Sequence, residues 1–164
     1  MSKIALFVDV QNVYYTTREA YGRQFDYNRF WRQATTNHEV VAAFAYAIDR
    51  GDAKQLQFQN ILSAIGFKVR LKPYIQRQDG SSKGDWDVGI TIDVMTVAPT
   101  VDRVVLVSGD GDFDLLAEKV RQDCGVQVDV YGVPGLTARS LVQAASRFVP
   151  IDGELLLPVS GRRL

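Results

Sequence analysis

Short apolar runs that alternate with amphipathic stretches constrain this chain more than any other feature. Ile4-Ala-Leu-Phe-Val8 is followed at once by Asp9. Val40-Val-Ala-Ala-Phe-Ala-Tyr-Ala-Ile48, Arg103-Val-Val-Leu-Val-Ser108 and Val126-Gln-Val-Asp-Val-Tyr131 repeat the theme. Such runs fit strands buried on both faces of a parallel sheet. Between them, residues 12–21, 27–34, 53–65, 86–98, 113–124 and 137–146 read as helices, three of them closed by Gly22, Gly66 or Gly125. Residues 67–74 alternate apolar and polar, and Pro73 puts the end of that strand near a sheet edge. Residues 148–151 supply a last short strand. The alternation predicts a three-layer α/β/α domain of Rossmann-like topology, with a mainly parallel sheet covered on both faces.

A chain of 164 residues suits one domain, read here as residues 4–151 followed by a tail at 152–164. The polar stretch 76–84 reads as a loop within that domain. One cysteine, Cys124, precludes an internal disulfide and sits at a helix end as a structural residue. The N-terminus lacks signal-peptide architecture, and no apolar run approaches the roughly 18 residues of a membrane span, so a cytoplasmic location away from membranes is expected. Zero formal net charge argues against a sequence-independent polyanion binder and leaves room for a local basic rim. The lone histidine, His38, is expected in a surface loop before a strand. Ser-His-Asp triads and multi-histidine zinc sites are thereby disfavoured.

In a parallel α/β sheet, ligands bind beyond the carboxyl ends of the strands, at the topological switch point. Aspartates collect there. Asp9 closes the first strand, Asp110 and Asp112 follow another in Ser108-Gly-Asp-Gly-Asp-Phe113, and Asp85 and Asp87 open the helix after the polar loop. Five carboxylates on one edge repel strongly. A hard divalent cation relieves that repulsion, and oxygen-only ligands favour Mg²⁺ or Mn²⁺. Two such ions about 3.5–4 Å apart would suit phosphodiester hydrolysis. The plain alternative is that these acids cap helices, Asp112 before Phe113 and Asp85 before Trp86. Asp114 reads as an exposed first-turn residue. Asn12 either begins the first helix or hydrogen-bonds Asp9 or a substrate phosphate. Ser108, Lys83 and Arg77 are further substrate-binding candidates, the two cations as phosphate contacts on the loop beside Asp87. Trp86 either packs or stacks a base. Of Tyr14 and Tyr15, one is expected in the core and the other lining the cleft.

Three segments together resemble the NYN domain, in the LabA-like branch of the PIN-like nuclease superfamily. They are Phe7-Val-Asp-Val-Gln-Asn12, Lys83-Gly-Asp-Trp-Asp-Val-Gly-Ile-Thr-Ile-Asp93 and Val107-Ser-Gly-Asp-Gly-Asp-Phe113. The resemblance implies a PIN-like sheet and a metal-dependent ribonuclease acting on RNA, in a superfamily whose members often form homodimers. It implies metal-binding and catalytic roles for Asp9, Asp87, Asp110 and Asp112, with Asn12 and Asp93 at two further recurrent positions. Lys83-Gly-Asp-Trp-Asp87 carries one residue more before the second acid than the family usually has, so Asp85 stays an alternative to Asp87. Asp93 lies six residues past Asp87, about 240° around a helix and about 9 Å along it, which separates the two. Two other readings remain at this stage. A haloacid-dehalogenase-type phosphatase wants a second Asp where Gln11 stands. A non-catalytic regulatory or RNA-binding module would carry the acids as vestiges.

Overall fold

A computed structural model describes residues 1–73, 75–76, 82–83 and 85–159. Strands β1 (Ser2–Asp9), β2 (His38–Asp49), β3 (Lys68–Pro73), β6 (Arg103–Val107), β7 (Gln127–Gly132) and β8 (Arg147–Pro150) form one sheet. Its order is β3-β2-β1-β6-β7-β8, and every pairing in it is parallel. The expected edge position of Pro73 follows from β3 being terminal. Two short segments, β4 (Ile75–Gln76) and β5 (Ser82–Lys83), pair antiparallel as a separate ribbon that overlaps the stretch 76–84 expected to be plain loop.

Helices α1 (Val10–Tyr21), α2 (Tyr27–Thr35) and α3 (Ala53–Ile65) supply Val13, Phe30 and Leu62 to one core, against Ile4, Leu6 and Val8 of β1. Helices α4 (Asp87–Val97), α5 (Asp114–Cys124) and α6 (Arg139–Ala144) supply Ile90, Leu116 and Leu141 to the other, against Ala5 and Phe7. Successive β1 side chains thus enter opposite layers, as a pleated strand buried on both faces requires. The three layers match the fold expected from the strand–helix alternation. Among the described residues, no helix is long and apolar enough to cross a membrane.

Several boundaries moved for identifiable reasons. α1 begins at Val10 rather than at residue 12, because Asp9 already caps it. The helix expected at 137–146 is only Arg139–Ala144, and the last strand begins at Arg147. His38 is half-buried and opens β2, paired with Ser2, instead of lying in a loop. The expected tail is in part integral: Gly153–Leu155 forms a 3-10 turn, and Leu155 and Leu156 are buried in the first core. Residues 160–164 lie outside the described residues.

The strand order reverses between β1 and β6. β1 continues outward to β2 and β3, whereas β6 starts the opposite half of the sheet. Helices diverge to opposite faces there and leave a crevice above the strand ends. Asp9 ends one of these two strands, and Ser108 to Asp112 follow the other.

Candidate functional site

Side-chain hydrogen bonds lace the two strand ends together. Asp9 is buried, 8% exposed. Its Oδ1 accepts from the Asn12 amide at 3.5 Å, and its Oδ2 accepts from the Ser108 hydroxyl at 3.1 Å. The Ser108 Oγ in turn accepts from the Asp110 amide at 3.2 Å. Asn12 Oδ1 accepts from the Gly109 amide at 2.8 Å. The start of α1 is therefore tied to the turn after β6 through two side chains.

Those bonds give Asn12 and Ser108 structural tasks. Asn12 uses its carbonyl oxygen on Gly109 and its backbone amide on Asp9. Ser108 is 1% exposed and its proton is committed to Asp9, so it shapes the site from beneath and is not an open substrate contact. Removing the Gly109 partner should be costly, since that glycine is buried. Asn12→Ala is expected to lower unfolding stability by about 1–2 kcal/mol, read from a urea midpoint at constant slope. A change below about 0.3 kcal/mol would mean that water replaces the lost acceptor without penalty.

The turn after β6 is packed tightly from above. A Cβ on Gly109 would stand 2.5 Å from the Leu136 carbonyl oxygen, and one on Gly111 would stand 2.8 Å from the Ala138 methyl. The Ala138 amide also donates to Gly109 O at 3.0 Å. Glycine is needed here because another segment's backbone lies against the turn. Asp110, not Asp112, is the capping residue: its Oδ1 accepts from the Asp112 amide at 2.9 Å at the head of the 3-10 turn Gly111–Phe113.

Asp87, Asp110 and Asp112 converge. Each offers a carboxylate oxygen, and the three oxygens lie within 4.8 Å of one another. Among the described residues this is the group of acids spaced to hold a cation. Asp9 is outside that triplet but lies close enough for its charge to raise Asp87. Asp85 Oδ1 accepts from the Asp87 amide at 3.2 Å, so Asp85 orders the start of α4 while Asp87 supplies its carboxylate to the cluster. Asp93 is elsewhere. Tyr46 donates to it at 2.9 Å, and Arg70 pairs with it at 3.2 Å, fastening α4 to β2 and β3. Trp86 packs as well: its indole donates to Ala47 O at 2.9 Å, its ring lies 5.3 Å from that of Tyr46, and Lys72 sits over it. Arg77 and the side chain of Lys83 lie outside the described residues.

The acids at the cluster raise one another. Burial first, then the charges of Asp110 and Asp85, push Asp9 up to about 6, against the lowering effect of its bonds to Ser108 and Asn12. Desolvation pushes Asp87 up to about 7, aided by a hydrogen bond to Asp110 and the charges of Asp110, Asp85 and Asp9. Carboxylates that retain protons this close to neutrality mark a place where negative charge lacks a partner. An all-oxygen donor set fits Mg²⁺ or Mn²⁺.

One expectation about α1 was wrong. Neither Tyr14 nor Tyr15 enters the core; they are 45% and 50% exposed. The buried side of α1 is Val10, Val13 and Thr17. Thr17 misleads a hydrophobicity reading because its hydroxyl is satisfied internally, donating to Val13 O at 2.8 Å. Arg18 shares the Tyr14 side of the helix.

Known proteins resemble this chain along nearly its whole length. A family model described as the NYN domain matches residues 3–152. The low amplitude and bright protein LabA of Synechococcus elongatus is 28% identical over 159 residues, covering 92% of this chain and 84% of that protein. A crystal structure of a protein of unknown function from Vibrio parahaemolyticus is 62% identical, with a TM-score of 0.91 over 95% of this chain and 96% of that one. With the match spanning nearly all of its sheet and all three acidic segments, the chain belongs to the NYN domain family, on the LabA-like side of it.

Proposed function

We propose that this protein is a Mg²⁺- or Mn²⁺-dependent ribonuclease that hydrolyses RNA phosphodiester bonds at the switch point between β1 and β6. The observation that carries this reading is the convergence of Asp87, Asp110 and Asp112 within 4.8 Å, in a domain of a nuclease-like family. These three carboxylates would hold the cation, with Asp9 adding its charge from the strand end. The bound ion would supply Lewis-acid stabilisation of phosphate charge and a water acidified for attack. The chain itself supplies rigidity. Ser108 and Asn12 fix the β1 end against the β6 turn, and Gly109 and Gly111 let the segment at 136–138 clamp that turn from above. Pre-set geometry of this kind keeps ligands where they are needed without reorganisation.

A phosphatase using Asp9 as nucleophile is disfavoured. Its carboxylate is buried, and Oδ2 already accepts from Ser108. Titration calorimetry with Mn²⁺ and Mg²⁺, paired with cleavage of a labelled RNA, tests the leading reading. Saturable metal binding should track cleavage, and excess chelator should abolish both. No heat of binding up to millimolar metal, together with intact RNA, would instead favour a non-catalytic module.

A further inference from the structure

We propose that the outer face of α1 and the pocket at its far end bind a single-stranded RNA segment flanking the scissile phosphate. Bases would stack on Tyr14 and Tyr15, and phosphates would be held by Arg18 and Arg23. The inference rests on the ribonuclease reading and adds a binding path to it.

Two adjacent tyrosines about half-exposed need an explanation that the fold does not supply. Their rings meet edge to face, with centroids 5.4 Å apart. Arg18 lies one turn beyond Tyr14. Its guanidinium carbon is 5.9 Å from the Tyr14 ring centre, and its Nη1 donates to the Tyr14 hydroxyl at 3.4 Å. Below them opens a pocket of 430 Å³, walled by Tyr14, Arg18, Arg23, Gln24, Leu157 and Pro158. That volume falls within the range of small-molecule sites and suits a nucleotide. Arg23 is held in place by bonds from Nε to Leu157 O at 2.8 Å and from Nη2 to Leu156 O at 3.3 Å. Its Nη1 makes no hydrogen bond among the described residues, so a fixed cation remains open to an anion.

Position and charge point the same way. Asp9 caps α1 at the acidic crevice, and Arg18 follows nine residues later, about 13 Å along the axis. An acidic cluster repels a polyanion wherever it is not neutralised by metal. In a chain of zero net charge, a strand held there needs cations nearby. Arg18 and Arg23 supply them on the same side of α1 as Tyr14. Glu19 is about 140° around the helix from Tyr14 and one turn beyond Tyr15, so the cationic side of the path is the Tyr14 side. Exposed aromatic rings beside guanidinium groups select unpaired bases, because a duplex keeps its base faces stacked.

Fluorescence anisotropy with a labelled 12-nucleotide single-stranded RNA, in chelator so that nothing is cut, reads the path directly. Tyr14→Ala and Tyr15→Ala should each weaken binding about fivefold to a hundredfold, whereas Tyr14→Phe should bind like wild type. Arg18→Ala should flatten the slope of log affinity against log salt by about 0.7. A duplex of the same sequence should bind more weakly and be indifferent to the tyrosine substitutions. Thermal unfolding of each variant should match wild type, since these side chains are exposed. If wild type binds the single strand and the alanine variants bind as tightly, the path is wrong; lowered stability with unchanged affinity overturns it equally. Cleavage assays separate the two ideas. Mn²⁺-dependent cleavage with tyrosine-independent binding sinks the path alone. Tyrosine-dependent binding without any cleavage upholds the path and sinks the ribonuclease reading.

Discussion

Asp110→Asn should cut Mn²⁺-dependent RNA cleavage at least about a hundredfold and, without metal, leave a protein more stable than wild type. The two effects have one cause. The asparagine keeps an Oδ1 that can accept from the Asp112 amide, as Asp110 does at 2.9 Å, so the 3-10 turn stays capped. What disappears is a negative charge beside Asp87 and Asp9, both of which Asp110 raises. The cation loses a carboxylate ligand, and the metal-free cluster loses part of its self-repulsion. A gain of about 1 kcal/mol would lift the melting midpoint by about 2–4 °C for a domain of this size. If Asp110 were simply a helix cap, the substitution would be nearly neutral in both assays. Calorimetric melting in chelator, alongside initial cleavage rates in Mn²⁺, distinguishes these outcomes.

Metal-free protein should lose stability as pH rises from 4 to 8, and Mn²⁺ should reverse that trend. Asp9 goes from an ordinary 3.8 to about 6 on folding, so between these values the folded state binds more protons than the unfolded one. Stability therefore falls with rising pH across this window. The contribution is fully present below about 4 and gone above about 6; for Asp9, which is 8% exposed, it amounts to about 3 kcal/mol. Asp87, raised to about 7, extends the decline toward neutrality. Ligands must be deprotonated to bind a cation, so Mn²⁺ affinity climbs over the same range. In saturating metal the midpoint should be flat or rising from pH 6 to 8. A metal-free midpoint that rises with pH there would mean that the acids are already neutralised by the protein. Asp9→Asn should flatten the metal-free profile.

The residues differ in how far they could be read in advance. The apolar run 4–8 ending in Asp9 could be placed because a strand buried on both faces leaves little alternative for it. The separation of Asp93 from Asp87 followed from helical geometry alone, and the structure places Asp93 on Tyr46 and Arg70. Gly22, Gly66 and Gly125 marked the ends of α1, α3 and α5, each donating its amide back to the last turn. Leu155 and Leu156 lie in a segment read as tail, because nothing local tells a buried apolar pair from an exposed one.

Local chemistry, carried by residues adjacent in the chain, was enough to determine the three-layer parallel architecture and the edge on which the acids gather. Periodicity and capping act over a few residues, and the alternation of strand and helix permits few topologies. The tertiary structure alone decided which acids converge. Asp87 and Asp85 stand two residues apart with the same side chain, yet one joins Asp110 and Asp112 while the other accepts from the Asp87 amide. It alone decided that Ser108 and Asn12 lock the site from within, and that Tyr14 and Tyr15 face solvent. Each of these outcomes depends on side-chain direction across a gap closed by distant segments. Packing against those segments sets that direction, and no spacing within one segment encodes it.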